Sequence, residues 1–168
     1  MCLFKRFSPV IAMLFGISLF ALNGVPGKEI FLNETLSMKR GLYLRKKIEK
    51  LSLGDTVLIS LPKSLKEFSK THPWLSGNEP LLKKVAALPG DRVCRRGGNV
   101  FINGRSAAVA RERDRAGAFL PKWEGCLRVK ANQFFAMGEL SKSSFDSRYF
   151  GPLKKSLLIG KAELIFEF

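Results

Sequence analysis

Leu81-Leu82-Lys83-Lys84-Val85-Ala86-Ala87-Leu88-Pro89-Gly90-Asp91-Arg92-Val93 is the stretch on which the fold turns. Eight residues, apolar except for two lysines, run into the turn signal Pro89-Gly90-Asp91, and a second run starts at once. That is strand, turn, strand. Arg92 to Arg96 and Val100 to Ile102, joined by Gly97-Gly98-Asn99, read as a hairpin, and Asn103-Gly104 is a further tight-turn dipeptide. Upstream, Gly54-Asp55 leads into Thr56-Val57-Leu58-Ile59-Ser60-Leu61, which Pro62 stops. Downstream, Val129 and Gln133 to Met137 make another strand, and Leu157 to Phe168 ends the chain with its last six residues alternating faces. Between strands, Leu42 to Lys50 reads as a short basic helix or a loop, Lys63 to Pro80 as a mobile loop, Arg105 to Lys122 as irregular, and Gly138 to Pro152 as a loop. The sum is a mainly β domain of short antiparallel strands without internal repeats.

Composition sets the limits around this core. The 168 residues carry 29 Lys plus Arg against 14 Asp plus Glu, a formal charge of +15. A hydrophobic content of 46% with 14 Phe excludes a disordered basic tail. Such a charge suggests nucleic acid, an anionic membrane surface or an acidic protein as partner, and composition does not choose among them. Val10 to Val25 hold no charge and follow Lys5 and Arg6. Stretched to residues 7–27, this run approaches the roughly 20 residues that span a bilayer core. It predicts a single transmembrane anchor, with residues 1–6 cytoplasmic and 28–168 an exported domain, because a compact basic cluster before a span stays inside. A cleaved secretory peptide is the competing reading. With Cys2 left inside, Cys94 and Cys126 form an even pair in an oxidising compartment, so a disulfide between them is expected, against two buried free thiols.

Few chemistries survive this inventory. His72, the one histidine, lies in a Pro-flanked loop, and a triad or a multi-histidine metal centre would depend on it alone. His72, Cys94 and Cys126 lack the paired spacing of zinc sites, and there is no phosphate-binding glycine loop or dinucleotide fingerprint. No metal and no cofactor are expected. A serine hydroxyl activated by a lysine remains, provided burial drives that amine toward its neutral form. Strand parity places Lys83 and Lys84 on opposite faces, so one of them is carried toward a packed face. The competing reading is a pair of snorkelling surface lysines.

Three segments then converge on a family. Asn33-Glu34-Thr35-Leu36-Ser37-Met38-Lys39-Arg40-Gly41-Leu42-Tyr43, Leu82 to Val93, and Ser144-Phe145-Asp146-Ser147-Arg148-Tyr149-Phe150-Gly151 follow the anchor in that order. Together they resemble the type I signal peptidases, in particular the conjugative-transfer (TraF-like) branch that matures pilin precursors. The resemblance implies a signal-peptidase-like β domain, Ser37 as nucleophile and Lys83, rather than Lys84, as general base. It implies an oxyanion hole of Thr35 and the Ser37 N–H, Ser144 orienting the lysine, and Asp146 as a supporting catalytic residue. Lys84 and Arg148 stand around the site, Lys84 being expected to pair with Asp146. Two departures stand out: Lys39 replaces a common proline, and Gly138-Glu139-Leu140-Ser141 replaces the housekeeping Gly-Asp-Asn-Arg stretch. The first loosens the local backbone but removes no reactive group; the second, together with the small size and single anchor, favours the conjugative branch over a housekeeping signal peptidase.

The implied partners are a membrane-bound precursor, pilin-like or secretory, and the lipid bilayer, with no nucleic acid. The implied place is the bacterial inner membrane, with the catalytic domain on the periplasmic side. Phe31, Leu32, Leu36 and Met38 are expected either to dip into the outer face of that membrane or to pack as core. The rival from another class, a noncatalytic membrane-tethered basic module, rests on charge alone.

Overall fold

The structure is a computed structural model that describes residues 30–72, 74, 75 and 79–168. The anchor expected over residues 7–27 and the cytoplasmic residues 1–6 lie outside the described residues. No helix among the described residues is long and apolar enough to cross a membrane.

Two antiparallel sheets carry the fold. The larger is formed by β1 (Ile30–Asn33), β2 (Gly41–Lys46), β3 (Thr56–Ile59), β4 (Leu81–Ala87), β9 (Gln133–Met137), β10 (Leu153–Lys154) and β11 (Leu158–Glu167), in the order β1-β2-β11-β3-β4-β9-β10. The smaller holds β5 (Arg92–Arg96), β6 (Asn99–Ile102), β7 (Arg105–Val109) and β8 (Gly125–Arg128), in the order β7-β6-β5-β8. The opening stretch behaves as its pattern requires: β4 ends before Pro89, and β5 pairs with β6 across the expected hairpin.

β4 runs through the middle of the large sheet, between β3 and β9, and period-2 alternation gives each of its faces a different task. Val85 joins Val57, Ile59, Phe134 and Ala136 in one core cluster, while Leu82 packs with Met38, Tyr43 and Leu58 in another. Ala87, past a register shift, meets Val93, Val100, Val129 and Phe135 where the two sheets abut. Near the edge, Gly41 lets β2 approach β11: a Cβ there would lie 2.0 Å from the Phe166 carbonyl oxygen.

Several expectations are corrected. Lys63–Lys70 is a helix, α1, where a mobile loop was expected. It is polar because it buries a single residue, Leu65, which anchors it to Phe145 and Tyr149. Leu42 to Lys50 starts as strand β2, paired on both sides, where a helix or loop was expected. Arg105 to Lys122 begins with β7, and Gly125–Arg128 adds a strand that the sequence pattern did not mark. Met38 is 3% exposed and belongs to the core, so it is no part of a membrane-facing surface.

Cys94 and Cys126 stand opposite each other in the β5–β8 register, with their sulfurs at 2.13 Å. The two form the expected disulfide. Oxidised, denatured protein is therefore expected to present one reactive thiol, Cys2, and reduced protein three. A Cys94→Ala/Cys126→Ala variant is expected to lose about 3–4 kcal/mol in denaturant unfolding.

Candidate active site

Lys83 sits on the core side of β4, opposite Val57 of β3, and is 5% exposed. Its ammonium donates to Ser37 Oγ at 3.1 Å. Burial among apolar neighbours lowers its pKa to about 8, against the Asp146 carboxylate, which raises it, and with the Arg148 guanidinium, which lowers it. A substantial fraction of the amine is thus neutral near pH 8.

Ser37 comes from the loop between β1 and β2, and the two strand ends, Asn33 and Gly41, face each other in the sheet register. The loop is held from inside and from behind. Inside it, the buried Asn33 carboxamide donates through Nδ2 to the carbonyls of Thr35 (3.1 Å) and Lys39 (2.8 Å), while its Oδ1 accepts from Thr35 N–H (3.2 Å) and Thr35 Oγ1 (2.7 Å). Tyr43 O–H also donates to the Lys39 carbonyl, at 2.8 Å. From behind, the Ser37 carbonyl accepts from the backbone N–H of Glu139 (2.8 Å) and Leu140 (3.2 Å). The Thr35 and Ser37 hydroxyls lie 2.9 Å apart. Lys39, at the position of the replaced proline, pairs with Glu167 at 2.7 Å.

The third segment supplies a buried ion pair. Asp146 is fully buried and caps the short helix α2 (Ser147–Phe150) by accepting from Arg148 N–H at 3.1 Å. Its carboxylate takes Arg148 Nε (2.8 Å) and Nη2 (2.7 Å) side by side, and accepts from Gly138 N–H at 2.8 Å. The guanidinium, 3% exposed, also donates to the carbonyls of Ser141, Lys142 and Ser144, so one side chain gathers the whole 141–146 loop. Arg95, 1% exposed on β5, ties the second sheet to this helix by donating to the Arg148 carbonyl at 2.9 Å.

Two expected contacts are corrected. Lys84 pairs with Glu139 and not with Asp146, because parity turns it to the opposite face from Lys83, across from Met137 and two residues from Glu139. Ser144 lines the same cavity as Ser37 and Lys83, yet its buried Oγ has no hydrogen-bond partner among the described residues. It is pressed against Gly138, where a Cβ would lie 2.2 Å from Ser144 Oγ, 2.5 Å from Ser144 Cβ and 3.1 Å from the Ser37 carbonyl oxygen. Rotating the serine does not clear its own Cβ. Gly138→Ala is therefore expected to push the 37 and 144 segments apart and to cut kcat by about 10²-fold, in line with the cost of small misplacements of reacting groups; single-turnover cleavage checks it.

A cavity of about 980 Å³ opens over the pair. Ser37, Lys83, Ser144 and Phe145 line it, as do Leu32 and Leu36. The aromatic ring of Phe145 stacks or edges against Phe68, Trp74, Tyr149 and Phe150, which ties α1, through Phe68, to a residue of the cavity lining. Asn33, Gly138 and Arg95 were missed as contributors. Asn33 and Gly138 stood inside quoted segments, and a polar amide at the start of a Ser-containing turn was the available signal for the first.

A mainly β scaffold that brings a serine hydroxyl to a buried amine, beside an open peptide-sized cleft, defines a serine-type hydrolase acting on peptide bonds. The chain belongs to the signal peptidase family, peptidase S26, whose model matches residues 2–167. It is 32% identical over 148 residues to a conjugal transfer protein TraF of Agrobacterium tumefaciens (strain 15955), covering 82% of both chains. It is 31% identical over 114 residues to a signal peptidase I of Leptolyngbya laminosa, covering 67% of this chain and 51% of that one. Among solved structures, a signal peptidase I of Enterococcus faecalis V583 aligns with a TM-score of 0.41 at 20% identity, over 68% of this chain and 98% of that one.

Proposed function

We propose that this signal peptidase works through a Ser37–Lys83 dyad, is held by an anchor at residues 7–27, and processes a pilin-like exported precursor. The observation that carries the dyad is the buried Lys83 amine, 3.1 Å from Ser37 Oγ with a pKa lowered to about 8. Neutral Lys83 takes the Ser37 proton, Ser37 Oγ bonds to the scissile carbonyl carbon, and the Ser37 N–H and Thr35 hydroxyl hold the oxyanion. Protonated Lys83 then gives its proton to the leaving amine. Water or a second amine resolves the acyl-enzyme, the second giving a transpeptidated, cyclic product. Asp146 and Arg148 act on Lys83 through their charges, and Ser144 borders it.

The pilin-like substrate is supported by the TraF relatives, which are named for conjugal transfer. The bilayer as partner is supported by Lys5 and Arg6 before the uncharged run and by exposed Ile30, Leu32 and Leu36 beside the cavity. With its active site outside, the enzyme belongs to the periplasmic face of a bacterial inner membrane.

The test is mass spectrometry of a membrane-embedded pilin precursor after incubation with the full-length enzyme. An acyl adduct on Ser37 during turnover and a trimmed product are expected. A product lighter than the linear mature peptide by one water is a ring. Trimming without any adduct at Ser37 contradicts the dyad, and trimming of general secretory precursors in preference to pilin contradicts the substrate.

A further inference from the structure

We propose that Asn33 is a positioning residue that dictates where the Thr35 and Ser37 hydroxyl protons point, and so sets the resting state of the Ser37–Lys83 pair. The proposal rests on the dyad reading.

Counting protons gives the direction. The Nδ2 end of Asn33 faces carbonyl oxygens of Thr35 and Lys39, which only accept, and its other end faces the Thr35 N–H, which only donates. The amide orientation is therefore fixed by its neighbours, with Oδ1 toward Thr35. An amide oxygen has no proton, so in the 2.7 Å contact between Thr35 Oγ1 and Asn33 Oδ1 the threonine donates. That spends its one proton. In the 2.9 Å contact between Thr35 and Ser37 the donor must then be Ser37. Ser37 in turn has no proton left for Lys83, which donates to it at 3.1 Å. The resting chain runs one way: Lys83 to Ser37, Ser37 to Thr35, Thr35 to Asn33.

This arrangement parks the nucleophile. The Ser37 proton points away from its base, and the Thr35 proton points away from the place where an oxyanion forms. Reaction requires that Lys83 lose a proton and the Ser37 hydroxyl swing to Nζ. As Oγ bonds to the carbonyl carbon, the Ser37 proton passes to Lys83 and the carbonyl π pair moves onto oxygen. Thr35 O–H then leaves a neutral amide oxygen for a charged one, and hydrogen bonds to ionised acceptors are roughly twice as strong as neutral ones. Asn33 thus releases the donor when negative charge develops and not before, which favours the transition state over bound substrate. Without Oδ1, Thr35 is free to donate to Ser37 Oγ and to occupy the lone pair that must attack. The loss falls on kcat.

The experiment measures kcat, KM and thermal midpoint for wild type, Asn33→Ala, Thr35→Val and the double variant on a pilin-precursor peptide. Each single variant is expected to lose about 10²-fold in kcat, with KM unchanged, and the double variant to be no slower than Thr35→Val, because Asn33 acts through that hydroxyl. Multiplied losses in the double variant, a wild-type kcat for Asn33→Ala, or an effect confined to KM overturns the proposal. If Asn33→Ala does not fold, Asn33→Asp keeps the acceptor and adds a negative charge to the chain. The acidic limb of its kcat/KM profile is then expected to move up by about one pH unit, and an unmoved limb overturns the proposal. Ser37→Ala separates the two ideas: if it still cleaves, the dyad is wrong, whereas an inactive Ser37→Ala beside multiplied Asn33 and Thr35 losses removes only the role given to Asn33.

Discussion

Lys83→Met is expected to give a folded protein that is slower than wild type by at least about 10³-fold in kcat/KM and yet more stable at pH 7. The rate loss follows from position. Lys83 Nζ donates to Ser37 Oγ at 3.1 Å, and methionine fills the same slot with no basic atom. The stability gain follows from the sign of the pKa shift. Burial holds Lys83 near 8, below the 10.5 of a free lysine, so the unfolded chain binds this proton more tightly than the folded one. Below pH 8 the folded protein carries a charge it has desolvated, at a cost of about 3 kcal/mol. Wild-type stability should therefore climb between pH 8 and 10.5, and Lys83→Met should lack that climb. Denaturant midpoints across this range measure it. Activity of the wild type should rise with pH through about 8 and then level off, as the neutral amine accumulates. Ser37→Ala should match the rate loss without removing the pH dependence of stability. A methionine variant that is less stable than wild type at pH 7 would show that Lys83 is anchored by interactions outweighing its desolvation.

The same strand explains how far sequence could reach. Alternation along Leu81 to Leu88 put Lys83 and Lys84 on opposite faces, and the structure buries the first and leaves the second half-exposed. The turn at Pro89-Gly90-Asp91 and the hairpin after it were legible for the same reason: period 2 and turn chemistry are local. Which carboxylate meets Lys84 was not, because Glu139 reaches it through the β4–β9 register, a long-range fact. The helix at Lys63–Lys70 was hidden by its polarity, since it buries little more than Leu65 and is held by packing on Phe145 and Tyr149. Arg95 belongs to Arg92-Val93-Cys94-Arg95-Arg96, a run whose charge suggests solvent, but sheet-on-helix packing closes over it. Asn33 acts through carbonyls that converge only once the Ser37 loop is closed.

Arg148→Met and Asp146→Asn should each destabilise the protein by about 3–5 kcal/mol, and should shift the activity profile in opposite directions. Each variant strands a buried partner. Asp146 is fully buried and Arg148 is 3% exposed, joined by two parallel hydrogen bonds. The damage is not limited to the pair, since Arg148 also serves the carbonyls of Ser141, Lys142 and Ser144. A double replacement by apolar residues, which often restores an isolated buried pair, should here leave the protein at least about 2 kcal/mol below wild type. Lys83 reads the two charges with opposite sign. Asp146 raises its pKa and Arg148 lowers it, both acting against a background of burial. Without Arg148 the remaining carboxylate favours protonated Lys83, so the acidic limb of kcat/KM should move to higher pH and activity at pH 7 should fall further than folding alone explains. Without the Asp146 charge the limb should move to lower pH. A purely structural role predicts two unstable enzymes with the same pH profile; limbs that move together, or not at all, would take the ion pair out of the lysine's electrostatics and leave it only the task of folding the 138–148 segment around Ser37.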